Sequence, residues 1–401
     1  MFRRGRYGKH VCIVVQNLPV PFDRRVWAEC RALRAAGYEV SVVCPKGKDD
    51  PSYAELEGVH LYKYRAFPPI TRQVMFVAEY VYSILATFVH LVRAWRRRPF
   101  SVVQVCNPPD VLWAAAFPFQ VLFGVKLVYD QHDLCPELYL SRFDRGQDLL
   151  YRGVCALERA TYRAADVVIS TNESYKQVAR IRGGKKPEDV FVVRSAPVVE
   201  RFHEVPAEPE LKKGKPYLLA YLGVMGPQDG VDYALRALAK LRDEIGRTDW
   251  HAVFVGSGDA FDDMVELSAK LGLANQVEFT GRISDEDLVR YLSTADVCLS
   301  PDPLNPLNDV STMNKVMEYM AMSKPIVSFE LREARVSAGD AAVYAPANDE
   351  SAFAKLVAQL LDDPEERARM GKLGQARVAG PLSWENSAKA LLAAYEHAVK
   401  S

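Results

Sequence analysis

Short runs rich in β-branched residues recur along this chain, each separated from the next by a segment of helical spacing. This alternation constrains the fold more than any other feature. In the first half the runs are VCIVV at 11–15, VSVVC at 40–44, VVQVC at 102–106, KLVYD at 126–130, DVVIS at 166–170 and VFVVR at 190–194. Each has the length and composition of a strand buried on both faces of a parallel sheet. Between them, residues 23–36, 110–123, 147–164 and 174–182 place apolar side chains three and four apart, the repeat of a helix with one buried stripe. Strand alternating with helix implies right-handed crossovers and a doubly wound α/β sheet. The rhythm breaks at 195–216, a stretch with four prolines and the string KKGK, and restarts with YLLAYLG at 217–223, HAVFVG at 251–256, VEFTG at 277–281, VCLS at 297–300 and PIVS at 325–328. Two doubly wound, Rossmann-like domains are expected, over 1–195 and 217–380. A linker at 196–216 joins them, and an amphipathic helix within 381–401 ends the chain. The length of 401 residues agrees with two domains rather than one core.

Charge narrows the function. Lys plus Arg and Asp plus Glu both number 51, so the basic excess of a nucleic-acid binder is absent, and no aromatic platform is interleaved with the basic residues. Residues 1–200 nevertheless carry 29 basic and 20 acidic side chains, a net of +9, which leaves 22 and 31, a net of −9, in residues 201–401. The first half is the one suited to anionic surfaces. Seven cysteines without a C-x-x-C spacing point to a reduced, cytoplasmic chain and to no zinc site. The opening MFRRGRYGKH leads into too short an apolar run for a secretion signal. The apolar stretch 74–95 is interrupted by Glu79, His90 and Arg93, short of a clean membrane span. Because the segment 73–98 ends in WRRR on the positive half, peripheral contact with an anionic membrane surface is expected; the alternative is a buried helix.

Ligands of open α/β sheets bind beyond the carboxyl ends of the strands. In the first domain the loops there are QNLPVPFDRR, with Asp23, Arg24 and Arg25; CNPPD; DQHDLCPE, with His132, Asp133 and Glu137; and RSAP. In the second they are GVMGPQDG, GSGD, TGRI and SPDPLNPLNDVSTMNK. Two polar loop sets suggest a cleft with a ligand from each side. Of seven histidines, His132 alone falls in a strand-end loop, between Asp130 and Asp133. Gly256 and Gly258 form a tight turn, open to reading as a phosphate approach or as structure alone. The D-x-D of Ser284-Asp285-Glu286-Asp287 reads as a helix cap in preference to a metal site. Within 311–328, Ser311 is expected to cap a helix that carries Lys315 one turn in and Glu318 three residues later. A cation and a carboxylate there suit an anionic ligand with hydroxyls, the alternative being an i, i+3 ion pair.

EYMAMSKPIV at 318–327, preceded in order by GSGD, VEFTG and VCLSP, resembles the donor half of family 4 retaining glycosyltransferases of GT-B fold. PFDRRVWAECRALRAAGYEVSVVCPKG at 21–47 and YDQHDLCPEL at 129–138 are similar to a bacterial subgroup of that family linked to cell-surface polysaccharide assembly, and SWENSAKALLAAY at 383–395 is similar to its closing helix, which returns to the first domain. The resemblance implies a nucleotide-diphosphate-sugar donor held by the second domain, a glycan or polyprenyl-linked acceptor held by the first, retention of anomeric configuration, and no metal or cofactor beyond the co-substrate. It implies catalytic positions at His132 and Glu318, with Glu318 on the ribose hydroxyls; Lys315 is expected to join them from its own place at a helix amino end, where the dipole and free amides add to its charge. Gly223, Gly256, Gly258, Arg282, Asp309, Ser311 and Asn314 complete the expected donor side. Two departures stand out. Val310 occupies the place of the family's first motif glutamate, which leaves Asp309 or Asn314 for the donor sugar. Gly223-Val224 and Asp229-Gly230 lack the family's diphosphate-clamping cations; Lys315, Arg282 and the Arg24-Arg25 pair are the substitutes on offer, Lys315 the favoured one, with backbone amides alone as the alternative. A nucleotide-sugar epimerase of the same fold and a silent nucleotide-sugar-binding scaffold are the rival readings.

Overall fold

A computed structural model describes residues 8–68, 74–142, 146–197 and 201–400. The basic residues 1–7, position 73 of the apolar segment and 198–200 of the expected linker lie outside the described residues. The chain divides into two compact units, one of residues through Ser195 plus the segment from Glu385 onward, the other Ala196–Trp384.

The first unit is built on eight strands: β1 (His10–Val14), β2 (Glu39–Pro45), β3 (Tyr53–Leu56), β4 (Val59–Tyr64), β5 (Val102–Cys106), β6 (Lys126–Gln131), β7 (Val167–Ser170) and β8 (Val190–Val192). Their order is β3-β4-β2-β1-β5-β6-β7-β8, parallel throughout except for the β3–β4 hairpin. The strand order reverses between β1 and β5, which opens a crevice at their carboxyl ends. Helix starts are fixed by side chains: Asp23 accepts from the Val26 amide at 3.1 Å to start Arg24–Ala35, and Asp148 and Asn172 do the same for Leu149–Ala164 and Glu173–Ile181. The last helix, Trp384–Lys400, belongs to this unit through buried Leu391, Ala394, Tyr395 and Ala398.

The second unit holds β9 (Tyr217–Leu222), β10 (Trp250–Val255), β11 (Val277–Gly281), β12 (Val297–Ser300), β13 (Ile326–Phe329) and β14 (Ala342–Ala345), all parallel, in the order β11-β10-β9-β12-β13-β14. Its switch point lies between β9 and β12. Apolar cores fill both faces, one around Trp250, Phe254, Phe329 and Phe353, the other around Tyr319, Met320 and Leu292. Met317, Met320 and Met322 are core residues. The stretch read as a linker is bonded to this unit where it is described: the Val205 and Glu208 amides donate to Ser293 and Thr294, and Glu208 pairs with Arg290.

Candidate active site

In the first unit a buried charged cluster lies at the ends of β5 and β6. Arg25, the second residue of its helix, is 9% exposed and directs its guanidinium at Asp130, with Nη2 2.8 Å from Oδ1 and Nε 3.3 Å from Oδ2. Its other contacts are the Val193 carbonyl at 2.8 Å, the Ser195 hydroxyl at 3.4 Å and, one helical turn on, Glu29 at 3.3 Å. Asp130 is the last residue but one of β6, and its Oδ2 lies 2.6 Å from Nε2 of His132. With Nε2 so engaged, Nδ1 is the ring atom left to face a ligand. Burial by itself would lower the His132 pKa, but the Asp130 carboxylate outweighs it and the net shift is upward. Burial also raises Asp130, yet Arg25 and His132 overcome that and hold it below the usual carboxylate range. Glu29, wholly buried and beside the Asp130 charge, is pushed up to about 8. Asn107 pins the loop that carries His132: its Oδ1 accepts from the His132 and Asp133 amides at 2.7 and 3.2 Å, and its Nδ2 donates to the Asp133 carbonyl at 2.7 Å.

Among the described residues, Cys106, Asp130 and His132 are the group close enough to ligate one metal ion. The donor chemistry does not favour it: burial raises the Cys106 thiol far from its thiolate form, and Arg25 already supplies the positive charge at Asp130.

The remaining first-domain candidates part company. Asp23 is a helix cap beside this cluster, and burial raises the Asp133 carboxyl. Arg24 is exposed at the start of its helix. Glu137 is committed elsewhere, to Arg182 at 2.6 and 3.0 Å, which also holds buried Glu158 at 2.6 Å. Arg25, offered as a phosphate cation, is instead spent on its own unit.

The second-unit candidates gather around β9, β12 and the helix Asn314–Ala321. Lys315 is nearly buried, its Nζ 2.6 Å from Asp302 Oδ1 and 4.9 Å from the centroid of the Tyr221 ring. Asp302 follows β12 and accepts from the Ser300 hydroxyl at 2.8 Å. The Lys315 stem runs along Gly223, where an added Cβ would stand 3.2 Å from Lys315 Cε. The nearest carboxylate to Lys315 is thus Asp302, and Glu318 feels the Lys315 charge more weakly than it feels Arg201 or Asp285. Glu318, 17% exposed, turns to Arg201 at 4.0 Å. Burial is the main cause that lifts its carboxyl to about 7, with Arg201 opposing and Asp285 adding to it. Arg201 donates to Asp285 at 2.5 Å, while its buried Nε and Nη1 have no hydrogen-bond partner.

One expectation is corrected. The helix N-cap is Met313, without a side-chain bond; Ser311 instead closes the preceding 3₁₀ turn, Asn308–Val310, and donates to the Leu307 carbonyl at 2.7 Å, two residues short of the cap position. Asp309 accepts from the amide of Arg332, the first residue of the helix Arg332–Ala338, at 2.9 Å and pairs with its guanidinium. Asn314 is exposed at the first helical position, and Arg282 is exposed after β11. Gly256 and Gly258 allow two loops to meet: with φ 138°, a Cβ on Gly256 would lie 1.8 Å from the Gly223 carbonyl, and one on Gly258 2.5 Å from that of Met225. Ser284 Oγ accepts from the Asp287 amide at 3.0 Å and donates to the Asp287 carboxylate at 2.8 Å, as the capping reading of the D-x-D has it.

Two Rossmann-like units, each with a polar cluster beside its topological switch point, define the GT-B class of architecture. Residues 23–196 match the family model described as glycosyl transferase 4-like domain, and residues 216–363 match glycosyl transferases group 1. The chain is 27% identical over 326 residues to 2-deoxystreptamine glucosyltransferase of Streptomyces kanamyceticus, spanning 78% of this chain and 81% of that one. Sucrose-phosphate synthase from Thermosynechococcus elongatus has the same fold, with a TM-score of 0.80 at 18% identity over 97% of this chain and 98% of that one. So does HepE of Anabaena in complex with UDP and glucose, with a TM-score of 0.69 at 14% identity over 97% and 100%. The chain belongs to the GT-B glycosyltransferases, of family-4-like type, and is an enzyme of sugar transfer.

Proposed function

We propose that this glycosyltransferase moves a sugar from a nucleotide-diphosphate-sugar bound by the second unit to a glycan or polyprenyl-linked acceptor bound by the first, with retention of configuration and without a metal or further cofactor. The observation that carries the reading is the helix Asn314–Ala321, which sets Lys315 against Gly223 at the end of β9 and Glu318 one turn further on. A cation beside a strand-end glycine suits a diphosphate, and a carboxylate next to it suits ribose hydroxyls. HepE, solved with UDP and glucose, lends support through its fold. Retention follows from same-face attack: the acceptor oxygen bonds the anomeric carbon as the bond to phosphate breaks, and the acceptor proton passes to the departing phosphate oxygen. His132 contributes a hydrogen bond at the transferred sugar. Asp130 and Glu29 are poor glycosidase-type nucleophiles, since both are fully buried against Arg25.

A lipid-linked acceptor fits the surface of the first unit. The helix Val74–Arg97 leaves Val77, Val81, Leu85 and Val89 exposed four residues apart, and exposed Arg96 and Arg97 end it. Its portion 77–97 is long and apolar enough to cross a membrane by length and composition, with 28% of it buried. Peripheral binding at the face of a membrane, from the cytoplasmic side, is the reading we favour. A thermal-shift panel of UDP-, GDP-, ADP- and dTDP-sugars tests the donor, since a ligand at about 100 times its Kd stabilises by about 2.7 kcal/mol. Product NMR then reads the anomeric outcome, and full activity in chelator tests metal independence. An inverted linkage, or donor binding without transfer to any acceptor, would refute the proposal.

A further inference from the structure

The cluster behind His132 reaches the last helix of the chain. Gln104, wholly buried in the middle of β5, donates from Nε2 to Glu29 Oε2 at 2.7 Å and to Asp130 Oδ2 at 3.2 Å. Its carbonyl oxygen accepts from the hydroxyl of Tyr395, itself fully buried on the helix Trp384–Lys400. Asp130 decides which way the amide faces: its ionised carboxylate can only accept, so the NH₂ is turned to it and the oxygen to the Tyr395 proton. Asp130 Oδ2 is thereby shared among the amide, His132 Nε2 and Arg25 Nε. The charged and titratable groups facing His132 are Asp130 and Asp133 from its own segment, Arg25, Glu29 and Asp23 from the first helix and its cap, and Cys106 from the end of β5.

We propose that Tyr395 is a positioning residue for His132, acting through Gln104 on the Asp130 carboxylate, so that the terminal helix helps to set the charge of the imidazole. The inference rests on the reading that His132 acts at the transferred sugar. Without the Tyr395 hydroxyl, the Gln104 oxygen loses its donor, the amide is less polarised, and its N–H bond to Asp130 weakens. More of the Asp130 negative field then falls on His132, and the imidazolium is held more tightly.

The test is an NMR titration of His132 in the full chain without ligand, its resonance assigned by loss in His132→Gln. Tyr395→Phe should move the His132 titration upward by about 0.3 pH units or more, and Gln104→Met, which removes the same donor directly, should move it the same way. His397→Ala is the control, because His397 anchors the same helix to Asp189 at 2.9 Å outside the cluster; it should leave the titration in place. An unchanged titration in folded Tyr395→Phe and Gln104→Met overturns the proposal, as does an equal shift in His397→Ala, which would reduce the effect to helix docking. Sugar transfer at the parent rate by His132→Ala would sink the catalytic reading instead, and the titration would still decide the positioning.

Discussion

Replacing Lys315 with methionine would separate two roles that fall on one side chain. Lys315 and Asp302 are 8% and 1% exposed, so loss of the ammonium leaves an uncompensated buried carboxylate, a destabilisation of about 3 to 5 kcal/mol. If the ammonium also meets the donor diphosphate, a charge-assisted bond contributing roughly 1.5 to 3 kcal/mol disappears, a loss of about ten- to a hundredfold in donor affinity. A second substitution distinguishes the effects. In Lys315→Met combined with Asp302→Asn both charges go while volume is nearly kept, and neutral replacement of a buried pair commonly leaves stability unchanged or improved. Urea denaturation should place the double variant near the parent and the single variant well below it. Calorimetric titration with UDP, GDP and ADP at fixed salt should show weakened binding in both. A double variant that folds and binds nucleoside diphosphate like the parent would make the pair purely structural and refute the clamp.

Glu318, raised to about 7 by burial, accepts more strongly from two ribose hydroxyls when ionised, so donor affinity should rise between about pH 6 and 8 and then level. Glu318→Gln should bind roughly tenfold more weakly, with a flat pH dependence in the same calorimetry. Glu29 sits at about 8 when folded, above an ordinary carboxyl, so its contribution is complete below the unfolded value and is lost as pH rises through about 8. The thermal midpoint should accordingly fall over that window, with a shallower fall in Glu29→Gln. Flotation with anionic liposomes should recover the parent, and recover less of a variant with Arg96, Arg97 and Arg98 changed to Ser, because each basic residue near the surface adds about 1 kcal/mol at low salt; equal recovery would count against the membrane reading.

The fold was legible wherever a strand is buried on both faces, since VVQVC or VCLS has no polar face to disguise it. The hairpin of β3 and β4 was not, because YAEL is a short edge strand with exposed Tyr53 and Leu56, and its turn is Glu57-Gly58, both at positive φ, rather than Asn-Gly. Short, alanine-rich β14 was missed for a similar reason. At the candidate site, position along the chain singled out His132, Lys315 and Glu318. Their partners come from other elements: Glu29 from a helix, Gln104 from mid-strand, Tyr395 from the last helix, Asp302 from the loop after β12. Gln104 did leave a signal, an amide set among valines in a run otherwise fit for the core. Asp302 left only its place in a strand-end loop, and spacing along one helix suggested Glu318 as the Lys315 partner when the nearer carboxylate in space was on another element.

Each unit carries a buried ion pair close to its switch point, Arg25 with Asp130 in the first and Lys315 with Asp302 in the second. Stability does not require them, since apolar side chains of similar volume would commonly serve as well or better. What a buried pair provides is a charge of fixed direction with little solvent to screen it, so a small change in one partner is felt by its neighbours. In the first unit the neighbour is His132, whose Nε2 is engaged by Asp130. In the second it is the backbone at Gly223, along which the lysine stem lies. If a nucleotide diphosphate meets Lys315 as proposed, it draws the ammonium partly away from Asp302, and the cost of that separation is a term in donor affinity. Tight donor binding by this chain therefore requires that Ser300 and the surroundings of Asp302 keep that carboxylate satisfied while its partner is shared, which makes Ser300→Ala a substitution that should weaken donor binding without touching the donor.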